Sequence, residues 1–174
     1  LPVQGGRMCA FTLAEVLITL VIIGVIAAIT VPTLITKYQK EQTVTRLKKN
    51  YGILNNAFQL FYTNNGQSFL DIPTNYTLNS IKNFVDKNYL KYFNVMKTCD
   101  GFCENYTPKY LNGEEWGTHP QPYTIILQDG TYIIFNTAQA QNSSTSLNGT
   151  VYVFADINGN KKPNIFGKDI FRMC

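Results

Sequence analysis

The chain has little of what enzymes commonly use for catalysis. Its 174 residues include one histidine. His119 lies in the loop sequence GTHPQPY, without a neighbour that would make it part of a catalytic triad. The sequence also lacks a glycine-rich phosphate loop, a His/Glu metal-binding pair and a G-x-S-x-G motif. We therefore expect a protein that is not an enzyme.

Charge is absent from residues 16–36. As a helix rising 1.5 Å per residue, this stretch would be about 32 Å long, enough to cross the hydrocarbon core of a bilayer. A cleaved secretory signal has a shorter apolar core of about 7–15 residues that ends at a small-residue cleavage site. The uncharged stretch therefore predicts a membrane-spanning helix.

Basic residues follow the apolar stretch directly. Five of them precede Thr63, with Glu41 as the only acid among them: Lys37, Lys40, Arg46, Lys48 and Lys49. From Asn64 onward, acidic and basic side chains balance. A basic cluster in this position is more typical of a solvated segment next to a membrane than of a nucleic-acid site, so we expect no nucleic-acid partner.

The helical pattern continues beyond the apolar stretch. Apolar residues recur at spacings of three and four on one helical face: Val44, Leu47, Tyr51, Leu54, Phe58 and Phe61. The sequence TNNG then supplies a stop at residues 63–66. We predict one long helix, apolar all round in residues 11–36 and amphipathic in residues 37–63, with a kink or local unwinding at Pro32.

The remainder, residues 64–174, has the pattern of a globular α+β unit. TLNSIKNFVDKNYLKYF has helical periodicity, and TVYVFADI is typical of a strand. PYTIILQDGTYIIFN predicts a β-hairpin with a two-residue type I′ turn at Asp129 and Gly130. The predicted fold class is therefore α+β, a long N-terminal helix packed on a small antiparallel sheet.

Cysteine spacing predicts a disulfide in this unit. Cys99 and Cys103 enclose three residues in TCDGFC, which suits a short disulfide loop and lacks the second Cys/His pair of a structural zinc site. In the alternative pairing, Cys174 bonds to either of these two. Any such bond indicates an oxidising, extracytoplasmic location.

The sequence DINGNKKPNIFGKD permits two interpretations. Asp156, Asn158 and Asp169 could supply oxygen ligands to calcium, which would be the only cofactor. The glycine spacing and the missing closing Glu exclude an EF-hand. The other interpretation is an Asn-Gly turn followed by a proline-stiffened surface loop with no metal.

The segment AFTLAEVLITLVIIGVIAAITVP, residues 10–32, resembles the N-terminal signature of type IV prepilins and type II secretion pseudopilins. It combines a short leader, Phe11 as the first mature residue, Glu15 four positions later, an unbroken apolar run and Pro32 near the middle of the helix. Ala10 stands where that family usually has glycine.

The resemblance implies a pilin-like fold and a structural function. Residues 1–10 would be a leader that a prepilin peptidase removes between Ala10 and Phe11, with methylation of the new amine on Phe11. The mature chain would cross the inner membrane once with its head outside, although the positive-inside rule alone favours the opposite orientation. It would then join other pilin or pseudopilin subunits in a periplasmic or cell-surface filament built by inner-membrane machinery.

The resemblance also implies a partner for Glu15. An isolated carboxylate in hydrocarbon costs about 2.5–3.5 kcal/mol on insertion scales. Cleavage would create an ammonium group on Phe11, and the resemblance implies that it pairs with Glu15 of a neighbouring subunit and sets the register of assembly. A pair within one chain, and a Glu15 that merely lies among lipid headgroups, are the alternatives.

Two other functions are compatible with the sequence. One is a membrane-anchored extracytoplasmic binding domain that does not polymerise, with ligands at the loops around Cys99 and Asp156. The other is a secreted enzyme released from a cleaved signal.

Overall fold

The structure is a computed structural model that describes residues 12–66, 77–117, 121–138 and 150–173. Some of the predictions concern residues outside these ranges: Ala10, Phe11, His119 and Cys174. The chain divides into two compact units, Leu1–Gln42 and Thr43–Cys174.

Helix α1, Leu13–Asn65, is 53 residues long and contains Pro32. The helix is continuous across Pro32, so the chain does not unwind there, and a kink at this proline stays a prediction. Gly66 ends the helix with a φ of 66°, and its N–H donates to the carbonyl of Tyr62 at 3.0 Å. Glycine tolerates this left-handed conformation, so the predicted stop at TNNG is confirmed.

The predicted apolar stripe of α1 packs only in part. The buried helix positions in the second unit are Asn50, Leu54, Ala57 and Phe61. In contrast, Val44 is 43% exposed and Tyr51 is 61% exposed. Residues spaced alternately by three and four lie on two adjacent rows of a helix with 3.6 residues per turn. Leu54 and Phe61 of one row are buried in the core, whereas the other row is exposed at Val44 and Tyr51.

The second unit adds a shorter helix and a five-stranded antiparallel sheet in which neighbours in sequence are neighbours in space. Its elements are α2 Leu78–Asn88, a 3₁₀ turn Leu90–Tyr92, β1 Val95–Asp100, β2 Tyr123–Leu127, β3 Tyr132–Ala138, β4 Thr150–Asp156 and β5 Ile170–Arg172. The α+β fold class predicted from the sequence is confirmed.

The second predicted helix is confirmed as α2. Thr77 caps it, because its hydroxyl oxygen accepts a hydrogen bond from the Ser80 N–H at 3.3 Å. Ile81 and Val85 are the buried residues on its apolar face. Leu90, which the periodicity included in the helix, lies in the 3₁₀ turn that follows.

The hairpin between β2 and β3 is confirmed, but its predicted turn type is wrong. A type I′ turn requires positive φ at both central residues, and only Gly130, with φ of 85°, has it. Leu127 and Thr131 close a three-residue loop, with the Leu127 N–H donating to the Thr131 carbonyl at 2.9 Å. Asp129 instead accepts from the Thr131 N–H at 3.0 Å and pairs with Lys49 of α1 at 2.7 Å.

Side chains cover both faces of the sheet. One face packs on α1 and α2 through a core that includes Phe61, Val85, Ile125, Ile133 and Phe135. The opposite face lies under the chain that follows β1 and the chain between β4 and β5. This second layer is rich in aromatic rings: Phe102, Tyr106, Trp116, Tyr132, Phe154 and Phe166. This aromatic layer was not predicted from the sequence.

Asn50 is a polar residue in an otherwise apolar contact. It is 1% exposed, and within the described part of the chain its side-chain oxygen accepts no hydrogen bond. We expect Asn50→Leu to raise the free energy of unfolding of the second unit by about 1–2 kcal/mol, because it removes a buried, unsatisfied acceptor. Chemical denaturation of the full chain in detergent, followed by Trp116 fluorescence, measures this change.

Asn55→Leu is the matched control, because Asn55 is an exposed asparagine on the same helix. It should change stability by no more than about 0.5 kcal/mol. A destabilised Asn50→Leu variant would contradict this account and show that the asparagine has a favourable role in the core.

Candidate functional site

The described part of the first unit is a helix whose apolar side chains are exposed. The large apolar side chains between Leu13 and Ile35 are 44% to 80% exposed. By length and composition, α1 is long and apolar enough to cross a membrane. Apolar surface of this extent marks a protein or membrane contact, because soluble monomers rarely expose it. The first unit therefore needs lipid or other helices around it.

Hydroxyl groups within the uncharged stretch are satisfied inside the helix. Each of its threonines donates to a carbonyl three or four residues earlier at 2.8–2.9 Å: Thr19, Thr30, Thr33 and Thr36. A hydroxyl paired in this way needs no water or partner chain. The only charged side chain between Thr12 and Thr36 is Glu15.

Glu15 has a hydrogen-bonding partner in its own chain. Its Oε2 accepts from the backbone N–H and from the hydroxyl of Thr12, both at 2.9 Å. In return, the Glu15 N–H donates to the Thr12 hydroxyl oxygen at 3.3 Å. This reciprocal pair is a capping box, which satisfies donors at the first turn of a helix.

The capping box was not among the sequence predictions, although TLAE matches the S/T-x-x-E pattern that predicts one. The capping box gives Glu15 a structural role within its own helix, and this role does not require cleavage of the chain before Phe11. The predicted partner, an amine on Phe11, lies outside the described residues, so the registry role of Glu15 stays a prediction.

A disulfide joins Cys99 on β1 to Cys103, with 5.3 Å between their Cα atoms. The predicted bond is confirmed, and the alternative in which Cys174 pairs with either cysteine is wrong. Cys103 is buried and belongs to the same core as Tyr106. The disulfide therefore fixes the start of the segment that carries the aromatic layer.

Tyr106 is in turn held by Asp156 at the end of β4. The Tyr106 hydroxyl donates to Asp156 Oδ2 at 2.8 Å, and the Asn158 N–H donates to Oδ1 at 3.1 Å. Asp156 is fully buried. Burial raises the pKa of Asp156 to about 7, and the nearby Asp169 adds to the rise while the hydrogen bonds oppose it.

Asp169 organises the loop between β4 and β5. Its two carboxylate oxygens accept from the backbone N–H groups of Asn164 at 2.7 Å and Ile165 at 2.6 Å. The Asp169 side chain is 4% exposed. The carboxylate therefore satisfies two backbone donors that the tight loop would otherwise leave unpaired.

The predicted calcium ligands lie in one loop region, but the carboxylates of Asp156 and Asp169 already accept hydrogen bonds from protein groups. Asn158 differs, because its buried side-chain oxygen has no hydrogen-bond partner in the described chain. Within residues 12–66, 77–117, 121–138 and 150–173, no group of three or more His, Cys, Asp or Glu is placed to hold a metal ion. Calcium binding by Asp156, Asn158 and Asp169 stays a prediction.

Comparison with known proteins gives one finding. A family model described as the prokaryotic N-terminal methylation motif matches residues 6–31. No curated protein and no solved structure matches the chain.

The chain thus carries the prepilin-type signature, and residues 13–31 of the match lie on the exposed apolar helix. The motif supports a pilin-like or pseudopilin-like protein of a structural kind. It implies processing by a prepilin peptidase and assembly with other pilin subunits.

The raised pKa of Asp156 makes stability depend on pH. The folded state favours the neutral acid, so this contribution is complete below the unfolded pKa of 3.8 and is lost as pH rises through about 7. We expect the free energy of unfolding to fall by about 2–3 kcal/mol between about pH 5 and about pH 8 from this group. Denaturation curves across that range measure the change.

Asp156→Asn, which imitates the neutral acid, should flatten this part of the pH profile. Glu104→Gln, at an exposed position, should keep the wild-type slope. Equal slopes for wild type and Asp156→Asn would show that Asp156 is ionised throughout and that the two hydrogen bonds outweigh burial.

Proposed function

We propose that the chain is a structural subunit of a type IV pilus or a type II secretion pseudopilus, polymerised through its N-terminal helix. The observation that carries the proposal is the methylation motif at residues 6–31, which extends into a helix whose apolar side chains are exposed. The motif is a signal for processing. The exposed apolar surface favours association of the processed helix with lipid or with other helices.

Processing would cut the chain between Ala10 and Phe11 and methylate the new amine. The first unit would stay in lipid until assembly and then exchange lipid contacts for contacts with other helices. This exchange keeps apolar surface away from water at every stage, so it can be reversible. The satisfied threonine hydroxyls support it, because they tolerate both surroundings.

Glu15 would have two successive partners. In the single chain it caps the first turn through Thr12. In the filament it would face the ammonium group on Phe11 of a neighbouring subunit. An ion pair gains far more in a low-dielectric core than in water, so it would favour the stagger that brings these groups together.

The second candidate is a membrane anchor that binds a ligand without polymerising. A cleft of about 340 Å³ beside the disulfide favours it. Its lining combines aromatic and polar side chains: Phe102, Trp116, Asp100, Glu115 and Gln121. Such a mixture is typical of small-ligand sites, but the anchor leaves the methylation motif without a purpose.

Intact mass measurement of the protein from cell membranes tests processing. We expect the loss of residues 1–10 and the gain of one methyl group, located on Phe11 by fragmentation. Cells without the prepilin peptidase should hold the uncut chain. A full-length, unmethylated protein in cells with active peptidase would support the non-polymerising anchor instead.

Substitutions at Glu15 separate its charge from its capping bonds. Glutamine can still complete a capping box, whereas alanine cannot. If the charge sets the register, Glu15→Gln should reduce incorporation into filaments about as strongly as Glu15→Ala, by at least roughly tenfold for an ion-pair loss above 1.4 kcal/mol. Immunoblots of sheared filament fractions measure incorporation.

Thr12→Ala is the matched control, since it removes the hydroxyl half of the capping box and leaves the carboxylate with the backbone N–H of residue 12. It should assemble far better than either Glu15 variant. Wild-type incorporation of Glu15→Gln would reduce the role of Glu15 to capping, and trypsin resistance of the second unit would show that each variant is folded.

A further inference from the structure

The basic residues that directly follow the uncharged stretch lie where a membrane changes from hydrocarbon to headgroups. Residues 16–36 match the thickness of a bilayer core of about 30 Å. The last polar groups inside that stretch, Thr33 and Thr36, donate to carbonyls of their own helix. Lys37 is therefore the first side chain beyond the stretch that needs a polar environment.

Lys37 and Lys40 point to neighbouring parts of the helix surface. They are three residues apart on α1, a spacing that places side chains on one side of a helix. Both are exposed, and neither forms an ion pair within the described residues. With a rise of 1.5 Å per residue, both lysines lie within about 6 Å of Thr36 along the helix axis. This distance is similar to the thickness of the headgroup layer on one side of a bilayer.

Tyr38 adds a second interfacial feature between the two lysines. Its ring is 62% exposed. Tyrosine is enriched at membrane boundaries, because its apolar ring and its hydroxyl suit opposite sides of the interface. Two cations and one tyrosine thus occupy the same short segment at the end of the span.

We propose that Lys37 and Lys40 form a binding site for the headgroups of anionic phospholipids, with Tyr38 fixing the depth of the helix. The ligand chemistry is a phosphate diester on a lipid surface. The proposal rests on the membrane anchoring in the proposed function but not on polymerisation, and it holds whichever side of the membrane the second unit occupies.

Arg46 and Lys48 supply a matched comparison. They are also exposed and basic, and they follow Thr36 by ten residues or more. They belong to the second unit, outside the boundary segment. A general attraction between a basic protein and an acidic membrane would involve both pairs, whereas a site at the boundary requires Lys37 and Lys40 alone.

The test uses the full chain reconstituted in phosphatidylcholine vesicles that contain trace spin-labelled phosphatidylglycerol or spin-labelled phosphatidylcholine. Electron paramagnetic resonance gives the relative association of each lipid with the protein. A lysine near an anionic surface contributes about fivefold, so the wild type should prefer phosphatidylglycerol by about 5- to 25-fold. High salt should reduce the preference.

Lys37→Gln with Lys40→Gln should lower the preference to about one, while Lys37→Arg with Lys40→Arg keeps it. Arg46→Gln with Lys48→Gln should retain the wild-type value. Two results would overturn the site. One is the same preference for phosphatidylglycerol in the wild type and in the Lys37/Lys40 glutamine variant. The other is a loss of preference in the Arg46/Lys48 variant as large as that in the Lys37/Lys40 glutamine variant.

Alkaline extraction of the same vesicles separates this proposal from the proposed function. A chain that stays in the membrane pellet but shows no headgroup preference refutes the lipid site alone. A chain that the alkaline wash releases does not span the bilayer, which refutes the membrane anchor and with it the proposed function.

Discussion

The structure depends on one constraint, which is that the first unit does not bury its own apolar surface. Side chains from Leu13 to Ile35 stay largely exposed, and the threonines among them are satisfied within the helix. Water is an unfavourable solvent for such a helix, so lipid or other helices must surround it. The methylation motif overlaps this segment in residues 13–31, so a processing signal and an apolar surface that requires partners lie together in the sequence.

The second unit is stabilised by contacts of its own. Both faces of its sheet are covered, one by helices and the other by an aromatic layer. Cys99–Cys103 and the bond from Tyr106 to Asp156 attach that layer to the strands. Because these contacts lie within residues 43–174, changes in the surroundings of the apolar helix need not disturb them.

Local patterns predicted the elements of this fold better than its long-range contacts. The uncharged run, the TNNG stop and the β-branched and aromatic runs that flank Gly130 are local patterns, so the sequence predicted them. The turn type was predicted wrongly because the dipeptide Asp129-Gly130 does not reveal that the loop has three residues, nor that Asp129 pairs with Lys49, which is distant in sequence. The aromatic layer is assembled from segments that are distant in sequence, so no local pattern predicts it. The capping box differs, because TLAE is a local pattern that predicts it.

The capping box explains the hydrogen bonds of Glu15 but does not by itself explain why this residue is charged. Bonds from Thr12 satisfy part of the carboxylate but bring no positive charge. Burial of an ion remains costly when it is hydrogen-bonded to neutral groups, because the cost arises from its net charge. A helix that needed only a cap could use glutamine at this position. A carboxylate also gains from the partial positive charge at the N-terminus of a helix, which a neutral glutamine does not. The capping box and the helix dipole together therefore account for an acid in the single chain, and an amine on Phe11 stays a predicted second partner.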